Sequence, residues 1–306
     1  MRFVLLLLGR AGTAALLPLA VSPALAATAA RHSMPASKPP PRPEDISEVK
    51  KILLNADFLA ACEDGDAAKV REMLSSGADP NAARTTGANA LSYATAGRHT
   101  EVVALLLDAK ADPNRTSAGL SPLFLAAENG DVETVKLLIR AGANVNAKLH
   151  AVDEDLKARE GDTALMATAS ATGTASTVKA LVGAGADSNA KAANGKTAVI
   201  QAVASENIGV LRALLEAKPD LGARMTDEDS DFDALTLAVG KSKPDMVGIL
   251  IDAGADPSVR MDGEVTLLEF AILSEQPVIA AKLRKRGLPE PSAQRLAELR
   301  KAATGQ

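Results

Sequence analysis

The 306-residue sequence has no tryptophan, a single tyrosine, five phenylalanines, a single cysteine and three histidines. Each shortage removes a class of protein. Cys62 stands alone, so no internal disulfide can form. It falls at an apolar helical position, which suits a buried thiol better than a redox sensor, because a sensor needs an exposed thiolate of low pKa. His32, His99 and His150 are far apart and not at metal-ligand spacing, so a zinc centre has too few donors. There is no Gly-x-Ser-x-Gly nucleophile turn and no glycine-rich phosphate loop. No catalytic residue, cofactor or metal is expected. Charge of one sign is not in great excess either. The formal net charge is −4, which argues against a binder of nucleic-acid phosphate.

What is present is repetition. The stretch 128–147, ENGDVETVKLLIRAGANVNA, reads as a helix end, a turn, a second helix and a closing turn. Val132, Val135, Leu138 and Ile139 recur at three- and four-residue spacing, one apolar helical stripe. Gly142 ends that helix, where a left-handed residue is needed. The closing turn returns at Gly77, Lys110, Gly142, Gly185, Lys218 and Gly254, with a weak last copy at Gly287. The steps are 33, 32, 43, 33, 36 and 33 residues. An inner helix rich in alanine (Ala94, Ala126, Ala127, Ala167, Ala202, Ala238) precedes each outer helix, and small side chains let neighbouring helices approach closely. One helix pair cannot bury its apolar face alone, so such units stack and share a continuous core.

A period near 33 residues with both helices and a Gly-Ala-Asp turn in register resembles the ankyrin-repeat family, over about Phe58 to Leu288. The family's Thr-Pro-Leu-His opening is only partly kept. Ser121-Pro122-Leu123 and Thr163-Ala164-Leu165 come nearest, and Ser92, Phe124, Met166, Ile200, Thr236 and Glu269 stand where the family has histidine. The resemblance implies an all-α solenoid of about seven helix-turn-helix repeats with finger loops and terminal capping helices. With layers ~10 Å apart, the stack would be on the order of 70 Å long.

The ends and the irregular steps carry the rest. Met1 to Ala26 reads as a secretory signal: Arg2, two apolar runs and the small-x-small site Ala24-Leu25-Ala26. A retained membrane anchor is the alternative, although Gly9-Arg10 interrupts the apolar run. Cleavage would remove two arginines and leave about −6. A signal so rich in alanine suggests a bacterial protein, placed in the periplasm or the medium. Residues 27–43 read as a proline-rich linker, 44–57 as an N-terminal capping helix and 289–306 as a C-terminal one in which Leu296 and Leu299 close the last layer. The 43-residue step inserts about ten residues around Leu149 to Gly161, and the 36-residue step about three around Met225 to Asp233. Both are acidic, and insertions of this kind often mark a binding side. Asp227, Asp229 and Asp231 begin like a calcium loop, but Phe232 and Ala238 stand where glycine and a bidentate glutamate are required.

The resemblance implies a non-enzymatic scaffold that binds a protein partner through finger tips and the exposed side of the inner helices. The residues it places there are Thr86, Arg115 and Lys196 on fingers, Glu128 and Asn129 at an inner-helix end, and Asp153, Glu154, Asp155, Asp227, Asp229 and Asp231 in the insertions. A monomer is expected, with no nucleic-acid partner and no membrane contact after cleavage. A secreted effector acting on a host protein, and an ion-binding or enzymatic role for the acidic loops, are the rival readings.

Overall fold

The structure is a computed structural model. It describes residues 43–85, 87–150, 159–169, 172–227, 230–261 and 264–304. The signal segment and all of the linker but Pro43 lie outside that range.

The first helix, α1, spans Pro43–Asp64 without a break. The separate capping helix expected over 44–57 is therefore the first half of this helix, continuous with the first inner helix. No glycine or proline separates the two, so nothing interrupts the backbone ladder between them. Pairs then follow in order: α2 (Ala67–Ser75), α3 (Ala90–Ala96) and α4 (Thr100–Asp108), α5 (Pro122–Glu128) and α6 (Val132–Arg140), α7 (Ala164–Ala167) and α8 (Ala175–Gly183), α9 (Ala198–Ala204) and α10 (Ile208–Leu215). After the short strands β1 (Met225–Asp227) and β2 (Ser230–Phe232) come α11 (Ala234–Gly240) and α12 (Pro244–Asp252). Strands β3 (Arg260–Met261) and β4 (Val265–Thr266) lead to α13 (Leu267–Leu273), α14 (Pro277–Arg284) and the C-terminal α15 (Ala293–Thr304). Odd-numbered helices pack on one another as an inner row and even-numbered helices form the outer row.

The apolar stripe read from the sequence faces the core. Val135 and Leu138 are fully buried, as are their counterparts Val103 and Leu106, Val178 and Leu181, and Val247 and Leu250. The buried residues form one continuous cluster from Phe58 to Leu299. Alanine and the few rings divide the inner row: Ala94, Ala126, Ala202 and Ala238 are fully buried, and Phe58 and Phe270 fill the two ends.

From α3 to α13 each inner helix begins with a side-chain cap. Asn89, Ser121, Thr163, Thr197, Asp233 and Thr266 each accept a bond from the backbone N–H three residues on. Where the family has histidine, Thr236 and Glu269 reach back to their own N-cap and complete capping boxes. The repeats are stitched together by a different residue, an asparagine two places past the turn aspartate. Asn81 Oδ1 accepts from Asp112 N–H at 2.8 Å, Asn114 from Asn144 at 2.7 Å, Asn146 from Asp187 at 2.8 Å and Asn189 from Asp220 at 2.7 Å. These rungs supply inter-repeat hydrogen bonds that the missing histidines do not. Their spacing, Asp-x-Asn at three of the four and Asn-x-Asn at Asn144, is plain in the sequence.

At the C-terminus α15 packs on α13. Leu299 is buried and Leu296 half-buried against the last pair.

Candidate functional site

Two finger arginines reach back over aromatic rings on the inner row. Arg84 lies 4.8 Å from the centre of the Tyr93 ring and pairs with Glu63 at 2.9 Å. Arg159 lies 4.9 Å from the centre of the Phe124 ring and pairs with Glu128 at 2.8 Å. Glu63 and Glu128 occupy the same register position two repeats apart, with Ala96 between them. A related device therefore occurs twice: a carboxylate ending an inner helix, an arginine from the finger that follows, and a ring beneath, on the next inner helix for Tyr93 and on the same helix for Phe124. A guanidinium over a ring face gains from the ring quadrupole, and the carboxylate fixes its plane. Burial pushes the Tyr93 phenol up, against the opposing pull of Arg84.

The second device is anchored by a buried ion pair. Lys196 Nζ sits 2.9 Å from both oxygens of Asp162, and Arg159 Nε is 3.6 Å from one of them. Asp162 is 3% exposed and Lys196 8%. Burial pushes the Asp162 carboxyl up, although both cations pull it down. The base of the ten-residue insertion is closed at this point. Leu149 is buried, its N–H donates to Asp162 O at 2.7 Å, and Gly161 N–H donates back to Leu149 O at 2.9 Å. Gly161 has φ +80°, and a Cβ there would press on the backbone of Ala192 and Ala193 in the next finger. The insertion is thus rooted in the core and linked through Arg159 to the inner row.

The second insertion is a hairpin rather than a loop. Strands β1 and β2 pair antiparallel, Met225 opposite Phe232. Both side chains pack against the core. Thr226 N–H donates to Asn194 O at 2.9 Å, which ties this finger to the preceding one.

The residues singled out from the sequence divide accordingly. Glu128 and Lys196 are drawn into one network through Arg159 and Asp162. Lys196 is buried there, not at a finger tip; the sequence places it beside Asn194-Gly195 but does not reveal that Asp162 lies opposite. Asn129 is half-buried and donates to Thr95 O at 3.3 Å, bridging two repeats. Arg115 is exposed, and its guanidinium donates to Asn81 O at 2.7 Å. Asp231 is exposed and accepts from Arg224 at 2.8 Å. Asp233, counted among the acidic loop residues, is buried as the N-cap of α11. Thr86, Asp153, Glu154, Asp155 and Asp229 lie outside the described residues, as does the side chain of Asp227. Reading missed the arginine–ring stacks: Arg84 and Arg159 stand in fingers of unlike length, so no common spacing links them to Tyr93 and Phe124.

Beside the two devices and beyond them stand half-exposed side chains in one register, interrupted at the buried Ala167 of α7. Tyr93, Leu125, Gln201 and Leu237 each occupy the fourth residue of an inner helix. Cys62 is buried, and burial pushes its thiol up to about 12, which makes it unreactive at neutral pH. Among the described residues there is no cluster of three or more His, Cys, Asp or Glu side chains suited to a metal ion. Among them, too, no helix is long and apolar enough to cross a membrane.

Comparison with known proteins agrees with this geometry. A family model described as ankyrin repeats (3 copies) matches residues 58–149, 148–229 and 165–261. The ankyrin repeat protein YahD of Escherichia coli strain K12 is 31% identical over 94 residues, which is 30% of this chain and 47% of that relative. The chain thus spans about half the length of that curated relative. Repeats of this kind indicate a protein–protein interaction scaffold. Paired helices stacked in two rows, left-handed turn residues at a near-constant step, and a family match across most of the array lead to one conclusion: the chain belongs to the ankyrin-repeat family.

Proposed function

We propose that this chain is an exported, non-enzymatic scaffold that holds a protein partner on its inner-helix row in the periplasm. The observation that carries the reading is the row Tyr93, Leu125, Gln201 and Leu237, with the two arginine–ring stacks at one end of it. Three of the four are apolar; Tyr93 and Leu237 pack partly on the core and still leave part of their surface open. Tyrosine and arginine are the residues most often found to dominate binding energy at interfaces. A surface built on packed helices is ordered before it binds, so little entropy is lost on association. Export is supported by the charged start, apolar runs and small-x-small site of residues 1–26.

The test is capture from the cell envelope with the full-length chain, tagged at its C-terminus, beside two variants. One carries Tyr93→Ser and Leu237→Ser. The other changes Asp153, Glu154, Asp155, Asp227, Asp229 and Asp231 to Ser. A partner lost from the first and kept by the second is the expected result. Loss only from the second would move the site to the insertions, and no loss from either would overturn a site on this face. Mass measurement of the exported form should give a chain beginning at Ala27. A cytoplasmic chain that retains Met1 would remove export.

A further inference from the structure

The asparagine rungs end after Asn189: Gly222 and then Ser258 stand at the next two positions in register. The four residues in register before Gly222 are Asn81, Asn114, Asn146 and Asn189. Three of these asparagines use both ends of the carboxamide. Asn81, Asn114 and Asn146 accept from the turn N–H of the following repeat and donate to the carbonyls of Lys110, Gly142 and Gly185, at 3.5, 3.1 and 3.1 Å. At the Gly222 step the matching groups are Asp256 N–H and Gly254 C=O. Both residues are exposed, and neither group bonds to another of the described residues, so both are open to an outside partner. A cavity of about 330 Å³ opens at this place, lined by Asp220, Gly222, Asp233, Gly254, Asp256 and Val259, among others. The outer helices α10 and α12 on either side are the least closely packed neighbours of their row. The gap is not forced by the backbone. A Cβ on Gly222 would meet only Asp220 Oδ1, at 3.4 Å, and the residue does not adopt a left-handed conformation.

We propose that this vacated rung is a recognition site for a carboxamide, supplied by an asparagine side chain of a partner polypeptide. The carboxamide oxygen accepts from Asp256 N–H and its NH₂ donates to Gly254 C=O, as Asn114 and Asn146 do within the chain. Asp220 and Asp256 face the same cavity, so a carboxylate of the same shape is repelled and has no proton for the carbonyl. A metal is not the occupant that this geometry favours, since the lining carboxylates form no metal-binding group among the described residues. The inference does not depend on export or on the inner-row surface; it concerns the turn edge of the stack.

The experiment follows backbone amide resonances of the full chain during titration with N-acetyl-asparagine methylamide, N-acetyl-aspartate methylamide and free asparagine. The expected result is a saturable shift of the Asp256 amide with the first probe, and a response weaker by about tenfold with the aspartate analogue, the size that losing a hydrogen bond and adding repulsion would give. Free asparagine should also respond weakly, because its own carboxylate enters the acidic cavity. Gly222→Asn should abolish the response by filling the site from within, and should slow exchange of the Asp256 amide by about tenfold through the new bond. An Asp256 amide that does not move, that moves equally with both analogues, or that still moves in Gly222→Asn would overturn the proposal. Free asparagine matching the peptide analogue would overturn the partner side chain as its source. Unchanged exchange of the Asp256 amide in Gly222→Asn would overturn the geometry on which it rests.

Discussion

Two lysines hold a backbone conformation that the other repeats give to glycine. Lys110 has φ +69° and Lys218 +50°, at the turn position where Gly77, Gly142, Gly185 and Gly254 stand elsewhere. An L side chain in the left-handed region costs roughly 1–2 kcal/mol, and glycine gives back part of that relief through its freer unfolded chain. Lys218→Gly is therefore expected to stabilise the protein by about 0.5–1 kcal/mol, read from the midpoint of urea unfolding. A lower midpoint would show that the lysine makes contacts worth more than the strain. Lys196 presents the opposite case. Removing one member of a buried pair leaves a charge without compensation, so Lys196→Ala should cost about 3–5 kcal/mol near neutral pH. The pH dependence has a definite sign. Burial raises the folded pKa of Asp162 above its unfolded value. The folded state therefore takes up the proton first, and acid relieves the orphaned carboxylate. The gap between wild type and Lys196→Ala should shrink as pH falls from neutral through the raised Asp162 value. A gap that stays constant would mean that Asp162 is not the group being stranded.

The C-terminal element is held by a residue doing two jobs. Glu269 accepts from Thr266 N–H at 2.8 Å to complete the capping box of α13, and its other oxygen accepts from Arg295 of α15 at 3.2 Å. Burial pushes the Glu269 carboxyl up, but the Thr266 bonds and Arg295 outweigh it and hold the group below the ordinary glutamate value. A lowered folded pKa means that the stabilisation is fully present above the unfolded value and is lost as pH falls through the folded one. Amides of α15 near Leu299 should lose exchange protection in acid before those of the inner row, and Glu269→Gln should flatten that dependence. Equal acid sensitivity in the variant would assign the effect to another group. The element scale also shows what the sequence could reveal. Periodicity located both helix rows, because burial of one face imposes the spacing. Turn glycines located the step for the same kind of reason, a local backbone demand. The hairpin at Met225–Phe232 escaped notice, because Thr-Asp-Glu-Asp-Ser-Asp reads as a solvated run and its pairing depends on Asn194 in the neighbouring finger. Lys196 escaped too, since its partner is 34 residues away and only the folded stack brings it near. The separate capping helix was an inference from the helical spacing of Ile46, Val49 and Leu53, and that spacing cannot show where one helix ends and the next begins; the backbone of α1 runs on unbroken.

At the scale of the molecule, each repeat of a stack contacts only its neighbours, so nothing averages out a weak joint. Its stability is close to a sum of repeat terms and neighbour interfaces. The interface at the Gly222 step lacks an asparagine rung, leaves an open cleft and has the loosest pair of outer helices. What crosses it on the turn-to-turn side is slight. Glu206 pairs with Lys243 at 2.6 Å and Lys241 at 3.7 Å, all partly exposed, and such pairs add little. The inner row remains continuous through Ala202 and Ala238, so the joint is weakened rather than cut. Opening should therefore begin there, with α11 to α15 separating from the rest as one unit. In native-state hydrogen exchange under mild denaturant, amides around Leu250 should exchange through an opening of lower free energy than those around Leu138, which lies between intact rungs. Gly222→Asn should bring the two values together, because it restores the bond and fills the space at the same time. Identical values in the wild-type chain would mean that the inner row alone couples the stack, and that the vacated rung has no part in holding it together.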